Sequence, residues 1–341
     1  METQPSPERI FQVGLGFWPA KVLLAAIKLD VFTTLNGQAL SARELGDRVG
    51  IQGRSARDFL DTLVSLNFLE RRDQGSQSRY ANTPETAAFL DRGSAHYLGG
   101  MLEMANDRLY PYWGSLEEAL RTGEPQSEIK ATGKPFFEGL YEDEKKLRQF
   151  AEAMAAVQME NFRALAEAVD FTPYKTVCDV GGANGAFSVV LAQKYPHLKL
   201  ISFDLPAMEP LARETVEAAG LGQRIRLVPG DFFTDEFPAA DAIFMGNILH
   251  DWNEANKRHL IEKAWRALPE GGAFLVLENV IDEHRRQNSF ALMMSLNMLI
   301  EVGDGFNFSE AEFRQWTTEA GFQRCTYQAL SPITGVLMAI K

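Results

Sequence analysis

The sequence of 341 residues contains only two cysteines, Cys178 and Cys325, and neither stands in a metal-type spacing such as Cys-x-x-Cys. A disulfide framework is therefore excluded, and a zinc site built from cysteine is disfavoured. Cys178 lies in the apolar run KTVCDV, where a lone thiol behaves as a small core hydrophobe. We expect no bound metal.

The sequence also lacks an excess of basic charge and long apolar runs. It has 34 Lys and Arg against 46 Asp and Glu, a formal net charge of -12 at pH 7. Because nucleic-acid affinity depends on many Lys and Arg contacts, this charge disfavours a nucleic-acid partner. No apolar run approaches the roughly 18 to 20 residues that span a bilayer, and METQPSPERIF lacks the regions of a signal peptide. We therefore predict a cytoplasmic protein with no membrane partner.

The first third of the sequence is predicted to be mainly helical. Residues 10–36 are apolar at helical spacing and predict one or two helices. Ser41 and Glu44 fit a capping box that opens a further helix. A second helix and a hairpin turning at Gly75 follow, which is the winged-helix pattern. DNA binding through the second helix is one interpretation and dimerisation the other; the balance of 11 Lys and Arg with 11 Asp and Glu in residues 1–100 favours dimerisation.

The last half of the sequence alternates apolar strands with helices, which predicts a parallel sheet covered by helices on both faces. Such sheets bind ligands at the carboxyl ends of their strands. The first strand ends in the glycine-rich run from Asp179 to Gly185, whose glycines let a ligand approach the backbone. Asp204 ends the second strand, where a carboxylate either accepts from two ribose hydroxyls or merely caps a turn before Pro206.

Polar residues also follow the third and fourth strands. Asp231 with Phe232 suits an adenine, because the acid accepts from the exocyclic amine and the ring packs on the base; an ordinary turn is the alternative. His250, followed by Asp251, comes after the fourth strand. Its ordinary pKa near 6.5 suits the removal of a proton at neutral pH, which makes His250 a candidate catalytic base.

The glycine-rich loop does not have the dinucleotide-binding spacing GxGxxG. A match beginning at Gly181 would need glycine where the sequence has Ala183 and Ala186, and Asn184 breaks a match beginning at Gly182. An NAD enzyme is therefore disfavoured. A nucleoside ligand without a pyrophosphate is favoured, and S-adenosylmethionine (SAM) is the usual one.

The runs VCDVGGANG, FDLP, GDFF and ILHDW, in this order and spacing, resemble the SAM-dependent O-methyltransferases, which include plant caffeic-acid-type enzymes, acetylserotonin methyltransferase and bacterial natural-product enzymes. GFWPAKVLLAAIKLDVF resembles the dimerisation domain of that family. The resemblance implies an α/β, Rossmann-like SAM-binding methyltransferase domain preceded by a mainly helical winged-helix dimerisation domain. It also implies a homodimer, a small aromatic acceptor and S-adenosylhomocysteine as the second product. We divide the chain into a dimerisation domain (1–100), a helical linker and substrate-capping region (101–170) and a catalytic domain (171–341).

The resemblance also implies roles for individual residues. His250 would be the catalytic base, oriented by Glu278 and flanked by Asp251. Gly246 stands where plant members have a lysine near the cofactor. The implied cofactor-binding residues are Asp179, Gly181, Gly182, Gly185, Asp204, Leu205, Asp231, Phe232, Gly246 and Asn247. The implied acceptor pocket is apolar and aromatic, with the candidates Phe17, Met101, Met104, Trp113, Met154, Met294, Asn297, Met298, Glu301 and Asn307; plain helix core is the alternative for each methionine.

The sequence departs from the plant members at one position. They carry a second flanking glutamate where this sequence has Asn307, and Glu301 lies close enough in sequence to replace it. Because asparagine cannot stabilise an imidazolium with a charge, C- or N-methylation stays open beside O-methylation. An inactive SAM-binding or winged-helix regulator is the further alternative, which the presence of both His250 and Glu278 disfavours.

Overall fold

The computed structural model describes residues 5–74, 77–134, 136–141 and 143–341 of the chain. The chain divides into two compact units, Met1–Pro111 and Tyr112–Lys341. The division of the sequence at residues 100 and 170 into three functional segments stays a prediction.

The N-terminal unit combines helices with one small antiparallel sheet. Its helices are α1 (Glu8–Gly14), α2 (Phe17–Lys28), α3 (Val31–Thr34), α4 (Ala42–Val49), α5 (Gly53–Ser65), α6 (Pro84–Phe89) and α7 (Gly99–Met104), which continues as a π-helical turn at Ala105–Leu109. Its strands are β1 (Leu40–Ser41), β2 (Leu69–Gln74) and β3 (Gln77–Asn82), in the order β1-β3-β2.

The predicted helix, helix and hairpin correspond to α4, α5 and the β2–β3 pair. The capping box is confirmed, because Ser41 N donates to Glu44 Oε2 at 2.8 Å and Glu44 N donates to Ser41 Oγ at 3.2 Å. Gly75, the predicted turn residue, lies outside the described residues. The first helical stretch forms three helices, α1 to α3, where one or two were predicted.

The first two helices carry an apolar surface that this chain leaves exposed. Phe17 and Trp18 are 52% and 58% exposed, and Ile10 and Val13 are exposed still further. The prediction that no apolar stretch approaches the length of a membrane span was wrong, as judged by helix length and hydropathy. The helical stretch Glu8–Lys28 has 21 residues, and an 18-residue window within it has a mean hydropathy of 1.6 and is 17% buried. By length and composition alone it matches a membrane span.

The C-terminal unit contains the larger sheet. Helix α8 (Tyr110–Trp113) leads into it from the N-terminal unit. The other helices are α9 (Leu116–Thr122), α10 (Glu128–Thr132), α11 (Phe136–Tyr141), α12 (Glu144–Ala168), α13 (Ala186–Lys194), α14 (Glu209–Ala218), α15 (Glu254–Ala267), α16 (Ser289–Glu301) and α17 (Glu310–Ala320). The strands are β4 (Thr176–Val180), β5 (Lys199–Asp204), β6 (Ile225–Pro229), β7 (Ala242–Gly246), β8 (Ala273–Glu278), β9 (Arg324–Ala329) and β10 (Gly335–Ile340).

These seven strands form one sheet in the order β6-β5-β4-β7-β8-β10-β9. Strands β4 to β8 are parallel, as predicted. The centres of β4, β5, β7 and β8 are buried and apolar because helices cover both faces, whereas β6 at the edge of the sheet is only partly buried. The prediction missed β9, and it did not foresee that β10 pairs antiparallel with both β8 and β9. The strand order reverses at β4, between β5 and β7, and a crevice at the carboxyl ends of these strands is where such sheets bind ligands.

Candidate active site

The glycine-rich loop after β4 folds back onto β5. Gly181 N donates to the Phe203 carbonyl at 2.9 Å. Gly182 allows this close approach, because a Cβ there would lie 2.3 Å from Ser202 Oγ and 3.1 Å from Asp179 Oδ2. Gly185 precedes α13, whose N-terminus therefore faces the end of the loop. The loop is thus held against the sheet with its backbone turned toward the strand ends.

Two carboxylates lie at this loop, the buried Asp179 and the half-buried Asp204. Asp204 Oδ2 accepts from Ala183 N at 2.8 Å, and its Oδ1 accepts from Leu205 N at 2.7 Å. Burial raises the pKa of Asp204 to about 6 against the effect of these two N–H groups. Burial, with Asp204 nearby, raises the pKa of Asp179 to about 8. Ala183 adopts φ 46°, a left-handed conformation that non-glycine residues rarely adopt.

The loop after β6 presents an aromatic pair. Phe232 and Phe233 have ring centroids 4.9 Å apart, and the ring of Trp252 lies edge-on to both. Asp231 Oδ1 accepts from Phe233 N at 2.8 Å, which shapes the turn. Lys263 Nζ donates to the carbonyls of Phe233 and Asp235 and thereby ties this loop to α15. The structure therefore places Asp231 and Phe232 at the same sheet edge as Asp204.

The end of β7 completes this edge next to β4. A Cβ on Gly246 would lie 2.9 Å from the Phe244 ring, so the position has no room for a side chain. Asn247 follows at φ 55°, and its N–H donates to the Leu277 carbonyl at 3.0 Å. Its Oδ1 is buried and accepts no hydrogen bond from the described residues. A buried acceptor of this kind is available to a donor on a ligand.

His250 lies on a 3₁₀ turn, Leu249–Asp251, directly after this segment. Its Nδ1 is 2.6 Å from Glu278 Oε2, and its main-chain N–H donates to Glu278 Oε1 at 3.2 Å. Glu278 ends β8 and is 1% exposed. The glutamate thus holds both the ring and the backbone of the histidine, with one carboxylate oxygen for each.

Asp251 provides the second carboxylate on the imidazole, with its Oδ1 3.2 Å from His250 Nε2. Burial alone would lower the pKa of His250, but Glu278 and Asp251 outweigh it and hold this pKa well above its usual value of 6.5. Asn307 points elsewhere, because its Nδ2 donates to the Asn279 carbonyl at 2.9 Å. The two carboxylates at the imidazole nitrogens are therefore those of Glu278 and Asp251, and neither Glu301 nor Asn307 is hydrogen-bonded to the ring.

Three of the predicted pocket residues form a polar chain between α8 and α16. Trp113 Nε1 donates to Asn297 Oδ1 at 2.9 Å, and Asn297 Nδ2 donates to Glu301 Oε2 at 3.1 Å. Met298 on the same helix is buried, and Met154 and Met294 are half-buried. Phe17, Met101 and Met104 lie in the N-terminal unit, where Phe17 is exposed and the two methionines are half-buried. Their part in an acceptor pocket stays a prediction.

Tyr141, at the end of α11, is a site residue that the sequence analysis missed. Burial raises its pKa, and the nearby carboxylates of Asp204 and Asp251 raise it further. It packs against the buried cluster that contains Met208 and Leu211, and Ala183 of the glycine-rich loop packs against the same cluster. No sequence signal could have identified it, since it belongs to a helical segment that is distant along the chain.

Both cysteines are free and buried. Among the residues that the structure describes, no group of three or more His, Cys, Asp or Glu side chains is placed to hold a metal ion.

Family models match most of this chain. An O-methyltransferase domain matches residues 113–323, and an O-methyltransferase dimerisation domain matches residues 11–92. The tetracenomycin polyketide synthesis 8-O-methyl transferase TcmO of Streptomyces glaucescens is 40% identical over 95% of this chain and 94% of its own. The N,N-dimethyltransferase OxyT of Streptomyces rimosus is 34% identical over 97% of this chain and 96% of its own.

Solved structures agree with these matches. The human N-acetylserotonin methyltransferase in complex with SAM superimposes with a TM-score of 0.91 and 28% identity, and the similarity covers 100% of this chain and 99% of that one. The resemblance inferred from the sequence motifs is thereby confirmed, together with the Rossmann-like fold and the N-terminal dimerisation domain.

Proposed function

We propose a reaction on the premise that this chain belongs to the O-methyltransferase family and is a SAM-dependent methyltransferase. The proposed reaction is the methylation of a hydroxyl group on a small aromatic acceptor, with His250 as general base. The observation that carries it is the buried His250–Glu278 pair, with 2.6 Å between Nδ1 and Oε2, at the carboxyl edge of the sheet.

The residues at this edge fit SAM by their chemistry. Asp204 keeps lone pairs beyond the two N–H groups it already accepts, which suits two ribose hydroxyls. The buried and unpaired Asn247 Oδ1 suits a further donor. We propose that Asp231 and Phe232 hold the adenine, and that the loop of Gly181, Gly182 and Gly185 with Asp179 lies along the methionine part. Leu205 and Gly246 complete the proposed cofactor contacts.

When bound, SAM supplies an electrophilic methyl group on a sulfonium and remains as S-adenosylhomocysteine. The chain has to hold the acceptor oxygen in line with that methyl group and to take up the proton that the oxygen loses. Nδ1 of His250 is engaged by Glu278, so Nε2 is the proposed proton acceptor. The carboxylate of Asp251 at Nε2 stabilises the imidazolium that results.

The raised pKa of His250 supports a phenolic acceptor. A phenol has a pKa near 10, as tyrosine does, so a base with a pKa well above 6.5 is better matched to it than ordinary histidine. An aliphatic alcohol is a far weaker acid and would gain less from this base. The printed name of TcmO, an 8-O-methyl transferase of polyketide synthesis, supports the same reaction class.

Methylation of an amine is the second candidate, because OxyT, an N,N-dimethyltransferase, aligns along almost the whole chain. Purified protein with SAM and matched pairs of phenol and aryl-amine acceptors distinguishes the two by mass spectrometry of the products. We expect O-methylated products and S-adenosylhomocysteine in equal amounts. Methylation of the amines alone would contradict the proposal in favour of the second candidate.

We further propose a homodimer formed through residues 1–100, of winged-helix type, with residues 101–170 capping the substrate. The exposed Phe17, Trp18 and neighbouring apolar side chains support this, since a surface so apolar is typical of an interface. Phe17, Met101 and Met104 stay proposed acceptor-pocket residues. A cytoplasmic location and the lack of nucleic-acid, membrane and metal partners stay predictions, tested by fractionation, binding assays and elemental analysis.

A further inference from the structure

Helix α15 carries a fully buried lysine directly behind the His250 turn. Lys257 is 0% exposed, and its Nζ donates to the main-chain carbonyl of Trp252. The same ammonium lies 3.3 Å from the centroid of the Phe306 ring, a close cation–π contact. Lysines are almost never fully buried unless they are paired, so this arrangement calls for a role beyond packing.

The groups that face this ammonium are mostly carboxylates of the reaction centre and its surroundings. Glu278 of β8, Asp251 of the His250 turn, Asp304 of the segment between α16 and α17 and Glu312 of α17 all favour the charged lysine. Burial acts against them and lowers the pKa of Lys257 to about 8. The side chain is therefore mostly protonated at pH 7 and contributes a positive charge close to two carboxylates that flank His250.

The loop 303–308 joins Lys257 to the backbone of the histidine. A Cβ on Gly305 would lie 2.7 Å from the carbonyl oxygens of both His250 and Asp251, so the loop touches the turn directly. Asp304 of this loop accepts from Asn253 Nδ2 at 2.6 Å. Phe306, two residues further, is the ring beneath the lysine. Lys257 thus binds the Trp252 carbonyl through a hydrogen bond and contacts this loop through the Phe306 ring.

We propose that Lys257 is a positioning residue of the reaction, which fixes the His250 turn and opposes protonation of the imidazole by its own charge. This proposal rests on the proposed role of His250 as the base. A positive charge near the imidazole disfavours a second one, while Glu278 and Asp251 favour it. Lys257 therefore keeps a larger fraction of His250 in the neutral form that removes a proton.

The expected effect is an upward shift of the pH at which His250 becomes a base. Without the Lys257 charge, the midpoint of the His250 titration and the acidic limb of the pH–rate profile should both rise by about one pH unit. At a pH below the limb this corresponds to about tenfold slower turnover. The plateau at high pH should change less, because the imidazole is then neutral in both proteins.

The experiment compares Lys257→Met and Lys257→Gln, which both remove the charge but pack differently, with Lys257→Arg, which keeps it. Lys263→Met is the matched control: it removes the second buried lysine of the same helix, which binds the carbonyls of Phe233 and Asp235 instead. Thermal unfolding with and without SAM establishes that each variant is folded.

Two readouts are followed. One is the pH–rate profile, and the other is the NMR titration of the Cε1–H resonances of the five histidines, with His250 assigned from a His250→Gln variant. We expect the His250 midpoint to rise in both neutral variants, to stay within about 0.3 units of wild type in Lys257→Arg and to stay unchanged in Lys263→Met.

An unshifted His250 midpoint in both neutral variants would overturn the proposal and leave Lys257 a packing residue. A shift of equal size in Lys257→Arg would overturn it as well, because the charge would then not be the cause. The NMR titration needs no turnover, so it judges this proposal even if His250 is not the base. If the His250 midpoint shifts by NMR but the acidic limb of the pH–rate profile does not, the result would instead contradict the proposed function of His250 as the base.

Discussion

Replacement of Glu278 by glutamine tests the proposed base most directly, because it removes a charge while keeping the shape of the side chain. In wild type, the carboxylate contacts the ring of His250 at 2.6 Å and its main-chain N–H at 3.2 Å. At an effective dielectric constant of about 20, two unit charges roughly 4 Å apart interact by about 4 kcal/mol. That energy corresponds to a change of about 3 units in the pKa of the histidine.

The direction follows from the sign of the charge. Glu278 raises the pKa of His250, so its neutralisation should lower this pKa and move the acidic limb of the rate profile to lower pH. The neutral imidazole would then be present across the physiological range, and a loss of turnover there cannot come from protonation of the ring.

A loss of turnover is nevertheless expected, because the amide cannot serve both donors. If the glutamine oxygen accepts from the main-chain N–H, its NH₂ group faces Nδ1 and forces the proton onto Nε2, which then cannot act as base. If the oxygen faces Nδ1 instead, a buried N–H loses its acceptor at a cost of about 1–3 kcal/mol. We expect kcat to fall by roughly 10²- to 10⁴-fold.

The assay is the pH dependence of kcat for wild type, Glu278→Gln and the control Glu160→Gln. The control makes the same substitution in an exposed ion pair with Arg163 on α12 and should leave turnover unchanged. SAM affinity, measured by calorimetry, should stay within about twofold of wild type. A Glu278→Gln enzyme with a wild-type plateau and an unmoved acidic limb would refute the role of the pair.

Three further predictions concern the cofactor edge and the N-terminal unit. Asp204→Asn should weaken SAM binding roughly 10- to 100-fold by calorimetry, with the exposed Asp170→Asn as control; equal affinity in both variants would remove Asp204 from the site. The Asp179 pKa of about 8 lies above its unfolded value near 4, so the stability from this proton is full below pH 4 and is lost as the pH rises through about 8. Without SAM, Asp179→Asn should therefore lose less Tm than wild type between pH 6 and 9, and a parallel loss would count against a buried proton there. Trp18→Glu should convert a dimer into monomers by sedimentation, whereas Leu120→Glu, equally exposed on α9, should not; a Trp18→Glu dimer would place the interface elsewhere.

Local sequence patterns predicted the parts of the fold that depend on neighbours along the chain. Apolar runs with glycine-rich ends predicted the parallel strands, because a strand buried on both faces needs an almost continuous apolar sequence. The capping box at Ser41 was predictable for the same reason, since both of its hydrogen bonds lie within three residues. β9 was missed because its sequence, RCTYQA, is largely exposed and forms the edge of the sheet, where burial imposes no apolar pattern.

Only those site residues that directly follow the end of a strand could be predicted from the sequence. Asp204, Asp231 and His250 each stand at a place that the topology brings to one edge, and so they could be named before the sheet was known. Tyr141 and Lys257 lie on helices, where no such rule applies, and a lysine in the first turn of a helix is expected from sequence to be a solvated charge. A role for Glu301 or Asn307 at the site stays a prediction; the structure shows hydrogen bonds from Asn297 to Glu301 and from Asn307 to the Asn279 carbonyl.

The sequence also named Asp251 as flanking His250, although an acid next to a histidine points away from it in a regular strand or helix. The 3₁₀ turn at Leu249–Asp251 breaks this rule and brings Asp251 to 3.2 Å from the Nε2 of its own neighbour. Two carboxylates on one buried imidazole raise its pKa, which makes the neutral ring a stronger base but leaves less of it neutral at pH 7. A buried cation behind the same turn opposes protonation of the ring, which is the role that we propose for Lys257. We therefore expect the carboxylates of Glu278 and Asp251 to favour the charge on His250 and the ammonium of Lys257 to oppose it, with no charge contributed by Asn307.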